Sequence, residues 1–189
     1  MREIDALVQL NFVLEMERAH LSDIPDYPLP DGYTLHWYEP GDEKHWLVVQ
    51  RAAEEYLSIS PELFVDQYGK NTQQLHQRLF FLRAASGATI ATSASWFTRG
   101  DPTSPVGRIH WVAITPEYQG RGLGNPLMSI ACQRLRQLGH TSARLTTSTA
   151  RIPAINLYLK FGFRPIDFER TGQAVWRRLQ NYLKEPHLL

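Results

Sequence analysis

The stretch Val112-Ala113-Ile114-Thr115-Pro116-Glu117-Tyr118-Gln119-Gly120-Arg121-Gly122-Leu123-Gly124 has the composition of a strand that runs into a glycine-rich turn and then a helix. Such a junction suits an anion. Glycine lets backbone N–H groups approach closely, and a helix start presents unbonded amides at the positive end of its dipole. A Walker loop would need Gly-Lys-Ser/Thr, whereas Gly124 is followed by Asn125-Pro126. A dinucleotide fingerprint needs G-x-G-x-x-G. Neither Gly120-x-Gly122, which runs to Asn125, nor Gly122-x-Gly124, which runs to Leu127, completes it. No acid stands about twenty residues on to hold a ribose, because Tyr118 to Ile166 contains no Asp or Glu. Both readings fall.

A third pattern fits. Gln119-Gly120-Arg121-Gly122-Leu123-Gly124 resembles the Q/R-x-x-G-x-G/A pyrophosphate loop of the GNAT superfamily of acyltransferases, including the preceding strand and Pro116. Ala154-Ile155-Asn156-Leu157-Tyr158-Leu159-Lys160-Phe161-Gly162-Phe163 resembles that family's A-x-x-L-Y-x-K-x-G-F helix–turn–strand, at the family's spacing. The resemblance covers roughly Thr89 to Phe168, and the N-terminal third matches only in its strand–helix–helix order. The sequence departs from the pattern twice. The asparagine four residues before the alanine of the second motif is Ala150 here, with Arg151 next. The usual closing strand is replaced by Thr171 to Lys184, which reads as helix; the period-two segment near the N-terminus is a candidate to extend the sheet instead.

The resemblance implies an N-acetyltransferase that moves an acetyl group from acetyl-CoA to a primary amine of a small molecule or peptide, by direct attack in a ternary complex. A non-catalytic acyl-CoA-binding sensor of the same fold is the alternative. Acyl transfer needs a held donor, a polarised carbonyl, a route for the amine's proton and stabilisation of the departing thiolate. By resemblance, the loop Gln119, Gly120, Arg121, Gly122, Leu123, Gly124 and Asn125 holds the pyrophosphate, with Arg121 as side-chain partner. Val112, Ala113 and Ile114 flank the pantetheine arm, and the Val112 N–H is the oxyanion donor. Asn156 hydrogen-bonds the coenzyme, and Tyr158 is the general acid toward the thiolate. The strand before the loop lacks the Glu that many members use as base. His110 is the candidate there, since an unperturbed imidazole titrates near neutrality.

These residues need a scaffold, and the rest of the chain supplies one. Val8, Leu10, Phe12, Leu14 and Met16 alternate with mostly polar residues, a strand signature. Thr34 to Tyr38 reads as a short strand. A helix follows Gly41-Asp42 with Asp42 as cap, and another starts at Ser60-Pro61-Glu62. Leu79–Ala84 and Thr89–Phe97 read as a hairpin split by Ser86-Gly87. The strand Arg108–Thr115, a helix to about Leu138, the strand Ala143–Thr147, a helix Pro153–Phe161, the strand Phe163–Phe168 and a last amphipathic helix complete the order. This is the α/β class with one mixed sheet, a GNAT-like acyl-CoA N-acyltransferase fold with an additional N-terminal strand and a C-terminal helix. One domain over residues 1–189 is expected, with residues 1–32 as an N-terminal extension and 79–168 as the acetyl-CoA-binding core.

Bulk composition agrees. With 189 residues, 43% hydrophobic and 21% charged, the chain reads as an ordinary soluble domain. A formal net charge of +1 points to neither nucleic acid nor an anionic membrane. Seven of the twenty basic residues fall in the acid-free stretch, either as a solvated helix face or as a segment built around a polyanion. Acids gathered between Glu39 and Asp66 would border the acceptor site and favour a cationic amine, or line an exposed helix. The single cysteine, Cys132, suggests a reducing compartment and a buried apolar role, and no secretory leader is visible, so a cytoplasmic location is expected. The histidines show no metal-ligand spacing, so no metal is expected. The sequence leaves the acceptor, the acyl length and the oligomeric state, a homodimer included, open.

Overall fold

The computed structural model describes residues 10–166 and 173–185. Seven strands form one sheet: β1 (Val13–Arg18), β2 (Tyr33–Trp37), β3 (Leu79–Ala84), β4 (Thr89–Phe97), β5 (Val106–Ile114), β6 (Ser142–Ser148) and β7 (Arg164–Pro165). Their spatial order is β2-β3-β4-β5-β6-β1-β7. Neighbours are antiparallel except β5 and β6, which run parallel. Six α-helices accompany the sheet among the described residues: α1 (Glu43–Ala53), α2 (Leu63–Tyr68), α3 (Thr72–Arg78), α4 (Gly124–Gln137), α5 (Ile152–Lys160) and α6 (Gln173–Leu179). None of them is long and apolar enough to cross a membrane.

The sheet is covered on both faces, which explains why β3 and β4 are buried along nearly their whole length rather than alternating. On one face Leu127, Ala131 and Leu135 of α4, at helical spacing, join Leu14, Met16, Leu145 and Trp176 in the main core. Cys132 lies there fully buried, its thiol pushed up to about 12 by burial. On the other face Trp46 of α1 and Phe64 and Tyr68 of α2 stack with Trp96 and Phe97 in a second, aromatic core.

The N-terminal strand is present, shifted from the expected span. Leu10 lies in a turn and Phe12 is exposed; pairing starts at Val13 and runs to Arg18. Residues 1–9 lie outside the described residues. β1 inserts between β6 and β7, so a strand from the start of the chain fills the position that the C-terminal segment, being helical, leaves in the sheet. The strand expected over 163–168 pairs only at Arg164–Pro165, with Ile166 N–H donating to the Glu15 carbonyl at 3.0 Å; residues 167 and 168 lie outside the described residues.

Three local expectations change. Asp42 precedes α1, but its carboxylate accepts the Glu39 amide (2.8 Å) and meets His36 Nε2 (2.7 Å) instead of capping the helix. α2 starts at Leu63, past Ser60-Pro61. α3 has no counterpart in the sequence reading, because Leu75 is its one apolar residue and gives no periodicity; its signal is Asn71, whose Oδ1 accepts the Gln74 amide at 3.1 Å.

Arg18 locks β1 in place. Its guanidinium, on a residue only 9% exposed, donates to the carbonyls of His20 (2.7 Å), Asp23 (2.7 Å) and Phe161. Removing it strands three acceptors at the seam between β1 and the end of α5. Arg18→Leu should therefore lower unfolding free energy by about 3 kcal/mol, read as a lower denaturant midpoint. An unchanged midpoint would show that the carbonyls find other donors.

Candidate active site

The site starts with a fault in β5. Ala94 pairs with His110 and Thr92 with Ala113, so Trp111 and Val112 together oppose Ser93, a bulge in which Trp111 takes φ +51. The bulge turns the Trp111 carbonyl toward α1, where Gln50 Nε2 donates to it at 3.0 Å, and Trp111 Nε1 donates to Gln67 at 3.0 Å. Beyond it, β5 and β6 separate. They are in register only at Val106–Ser142, Gly107–Ala143 and Arg108–Arg144. Past that point β5 pairs only with β4, and β6 only with β1, leaving a wedge between them. Thr115 N–H donates to the Ile90 carbonyl of the β4 side at 2.8 Å. By alternation the polar backbone of Ala113 also faces β4, while the amides of Val112 and Ile114 face the wedge. Of the three residues expected beside the pantetheine arm, Ala113 is thus turned away. Across the wedge, Thr147 Oγ1 is buried without a hydrogen-bond partner among the described residues.

The glycine loop lies at the end of β5. Gly120 (φ +74) and Gly122 (φ +80) hold the left-handed conformation that side-chain-bearing residues resist. No amide from Gly120 to Gly124 donates a hydrogen bond among the described residues; donation resumes at Asn125, to the Gly122 carbonyl at 3.2 Å. Five adjacent backbone donors at the start of α4 are left for an anion. Gln119 Nε2 donates to the Ile114 carbonyl at 2.9 Å, which fixes the strand end to the loop. Arg121 lies exposed over the Tyr118 ring at 4.7 Å. A Cβ at Gly124 would come within 3.0 Å of Leu157, and Lys160 donates to Asn125 Oδ1 at 3.0 Å, so the loop and α5 are held together. Tyr158, next to Leu157, is 6% exposed, and burial pushes its hydroxyl up to about 12 against the opposing influence of Arg151.

The structure revises two residue roles. His110 is 6% exposed and sits against Tyr68 at 5.4 Å between ring centroids, in the aromatic core. Burial, with Arg108 beside it, pushes the imidazole down to about 3. It is neutral at physiological pH and a weak proton acceptor, so the premise of near-neutral titration fails. Asn156 is already engaged within the protein: Nδ2 donates one hydrogen to the Ile152 carbonyl (3.0 Å), and Oδ1 accepts the Lys184 amide (2.8 Å), which ties down the chain after α6 and leaves one Nδ2 hydrogen for a coenzyme.

The basic stretch is not one anion-binding surface. Arg134 donates to the Gln77 carbonyl and stacks on Trp37, Arg164 donates to the carbonyls of Leu159 and Phe163, and Arg144 meets Glu17. Arg151, at the Ala150 departure, binds both oxygens of Glu54 at 2.8 Å and Ser148 Oγ at 2.6 Å. It joins the end of α1 to the start of α5. Asp42 and Glu54 are therefore engaged by His36 and Arg151, which removes two of the acids that would have favoured a cationic acceptor. Among the described residues no group of three or more His, Cys, Asp or Glu could hold a metal. Thr147 and Arg151 carry no signal of such places in the sequence; each is an ordinary strand or turn residue until the chain is folded.

Known proteins share this fold. The family model described as Acetyltransferase (GNAT) family matches residues 46–163. A mycothiol acetyltransferase of Pseudarthrobacter chlorophenolicus is 29% identical over 153 residues, 78% of this chain and 47% of that protein. The chain spans about half the length of the curated relatives it matches. Among solved structures, a GCN5-related N-acetyltransferase from Sphaerobacter thermophilus aligns with a TM-score of 0.68 at 19% identity, covering 82% of this chain and 49% of that one. The ribosomal-protein-S18-alanine N-acetyltransferase of Escherichia coli aligns with a TM-score of 0.57 at 21% identity, covering 70% and 77%. At those identities the likeness is one of fold.

His110 also carries a pH signature. Its folded value of about 3 lies below the ordinary 6.5, so its contribution to stability is complete above pH 6.5 and is lost as pH falls toward 3. His110→Phe should flatten that portion of the melting-temperature profile. An unchanged slope in the variant would assign the acid sensitivity to other groups.

Proposed function

This chain belongs to the GNAT acetyltransferase family, and on that footing we propose that it transfers the acetyl group of acetyl-CoA to a primary amine, both bound at once. The observation that carries the reading is the run of unengaged amides from Gly120 to Gly124 beside the wedge between β5 and β6. A coenzyme with a diphosphate next to an extended amide-bearing arm matches both features: the loop would take the diphosphate, and the Val112 and Ile114 amides would pair with the arm as a strand does. Thr147 Oγ1, buried and unpartnered on the facing strand, offers a further polar contact.

In the reaction the neutral amine attacks the thioester carbonyl carbon. The N–C bond forms, the C–S bond breaks, the amine's surplus proton leaves to water and the departing sulfur takes a proton from Tyr158, which regains one from solvent to close the cycle. The Val112 N–H is the donor assigned to the carbonyl oxygen, an interaction typically worth about 3 kcal/mol. Tyr158 is kept protonated by burial, so at neutral pH it is available as an acid. With His110 neutral and weakly basic, the proton is assigned to solvent.

The relatives named mycothiol acetyltransferase are acetyltransferases by name, which supports the reaction class. This chain spans only about half of their length, so their acceptor is not carried over.

Tyr158→Phe should cut kcat by about 100-fold while acetyl-CoA affinity, measured by calorimetry, stays within a factor of two or so of wild type. Gly122→Val, strained at φ +80, should instead weaken acetyl-CoA binding. Full turnover in Tyr158→Phe would remove the tyrosine from the mechanism. Acetyl-CoA binding without thiol release across a broad amine panel would favour a sensor of the same fold.

A further inference from the structure

Acetyl transfer leaves the acceptor undefined, and one cavity bears on it. It measures about 230 Å³, and its walls include Glu15, Thr98, Arg108, Arg144, Thr146 and Ile166. That is less than the roughly 300 Å³ at which small-molecule pockets begin, so it suits one end of a ligand.

Its floor holds two arginines in an unusual relation. Arg108 and Arg144 are in register on the parallel strands β5 and β6, so their backbones are about 4.8 Å apart. Ala143 and Leu145, on either side of Arg144, point into the main core, and His110, two residues beyond Arg108, meets Tyr68 of α2. Both guanidinium groups therefore stand on the sheet face opposite α4. Like charges on directly paired strand positions repel. Glu17 accepts from Arg144 Nη2 at 3.2 Å, while Arg144 Nε is buried with no partner. Arg108 is half-buried and donates no hydrogen bond among the described residues, although it has five N–H groups to offer. Burial pulls its pKa down, and Tyr68 and Glu15 act in the opposite direction. A desolvated, unengaged guanidinium beside a second one is a fork for a carboxylate or phosphate. Thr146 lies in the same cavity, two residues along β6 from Arg144, and Glu15 stands among the walls as a counter-charge.

The place of this fork relative to the wedge sets what it can bind. Arg108 and Arg144 are the last paired residues before β5 and β6 part. Val112 lies four residues further along β5, about 13 Å of strand. We propose that the acceptor is an amine bearing a carboxylate or phosphate remote from its reactive nitrogen, with that anion held between Arg108 and Arg144 at the closed end of the wedge. The proposal rests on the acetyl-transfer reading for the chemistry at the other end, but the anion site stands on its own geometry.

The test uses the full chain with ω-amino carboxylates and ω-aminoalkyl phosphates of graded length, against alkylamines of equal length. Thiol release from acetyl-CoA should show kcat/KM at least about tenfold higher for an anionic member than for its alkylamine, and comparison of the carboxylate and phosphate series identifies the anion. Arg144→Gln and Arg108→Gln should each abolish that preference through KM, with acetyl-CoA affinity by calorimetry unchanged; Arg144→Lys should restore it only in part, because the charge returns without the fork. Calorimetric binding of the preferred anionic amine provides a readout independent of turnover. Thiol release with no anion preference, or a preference that survives both glutamine variants, overturns the anion site alone. Anion binding that needs the arginines, without thiol release from any amine, supports the site and sinks the transfer reading. Binding of neither ligand overturns both.

Discussion

The parting of β5 from β6 is the constraint on which the rest of the structure depends. Two parallel strands held in register at three positions and then released leave backbone amides facing a gap. Buried amides require partners, so such a gap persists only where something else can satisfy them. The bulge at Trp111 produces it, at the expense of a non-glycine residue in the left-handed region, and the hydrogen bonds from Gln50 and to Gln67 hold the displaced tryptophan. The strain is local and the surroundings over-determine it.

The walls of the gap are stabilised from several sides. Gln119 anchors the end of β5, Lys160 and the contact between Gly124 and Leu157 bring α5 against the glycine loop, and Arg151 with Glu54 ties α1 to the turn before α5. At the closed end, Arg18 fastens β1 to the end of α5. The proposed transfer between a donor and an acceptor bound at once needs such rigidity, since reactive geometry tolerates displacements of only about 1 Å. Arg151 is informative here: it follows Ala150, where the sequence departs from the family pattern, and its guanidinium serves as a structural brace.

Charge is distributed by the fold in a way the linear order conceals. The acid-free stretch reads as one basic block, yet its arginines go to carbonyls, to Glu17, to Glu54 and to a tryptophan face. What remains near the glycine loop is mostly backbone. The anion binding proposed there would rely on unengaged amides and a helix start more than on side-chain charge.

The sequence by itself determined the family, the order of most elements and the location of the glycine loop, because these depend on local chemistry. Left-handed glycines, a helix start and a helix–turn–strand motif are readable wherever they occur, and apolar runs such as Leu79–Leu82 announce central strands. Only the tertiary structure decided the rest. Whether His110 titrates near neutrality depends on its burial against Tyr68 of α2, far away in the chain. Whether Asn156 is free depends on Lys184, and α3 was invisible because a helix with one buried leucine carries no period. The neighbouring arginines at 108 and 144 belong to different strands and become a pair only through the register of a parallel sheet. Burial and register are properties of residues distant in sequence, and no local pattern encodes them.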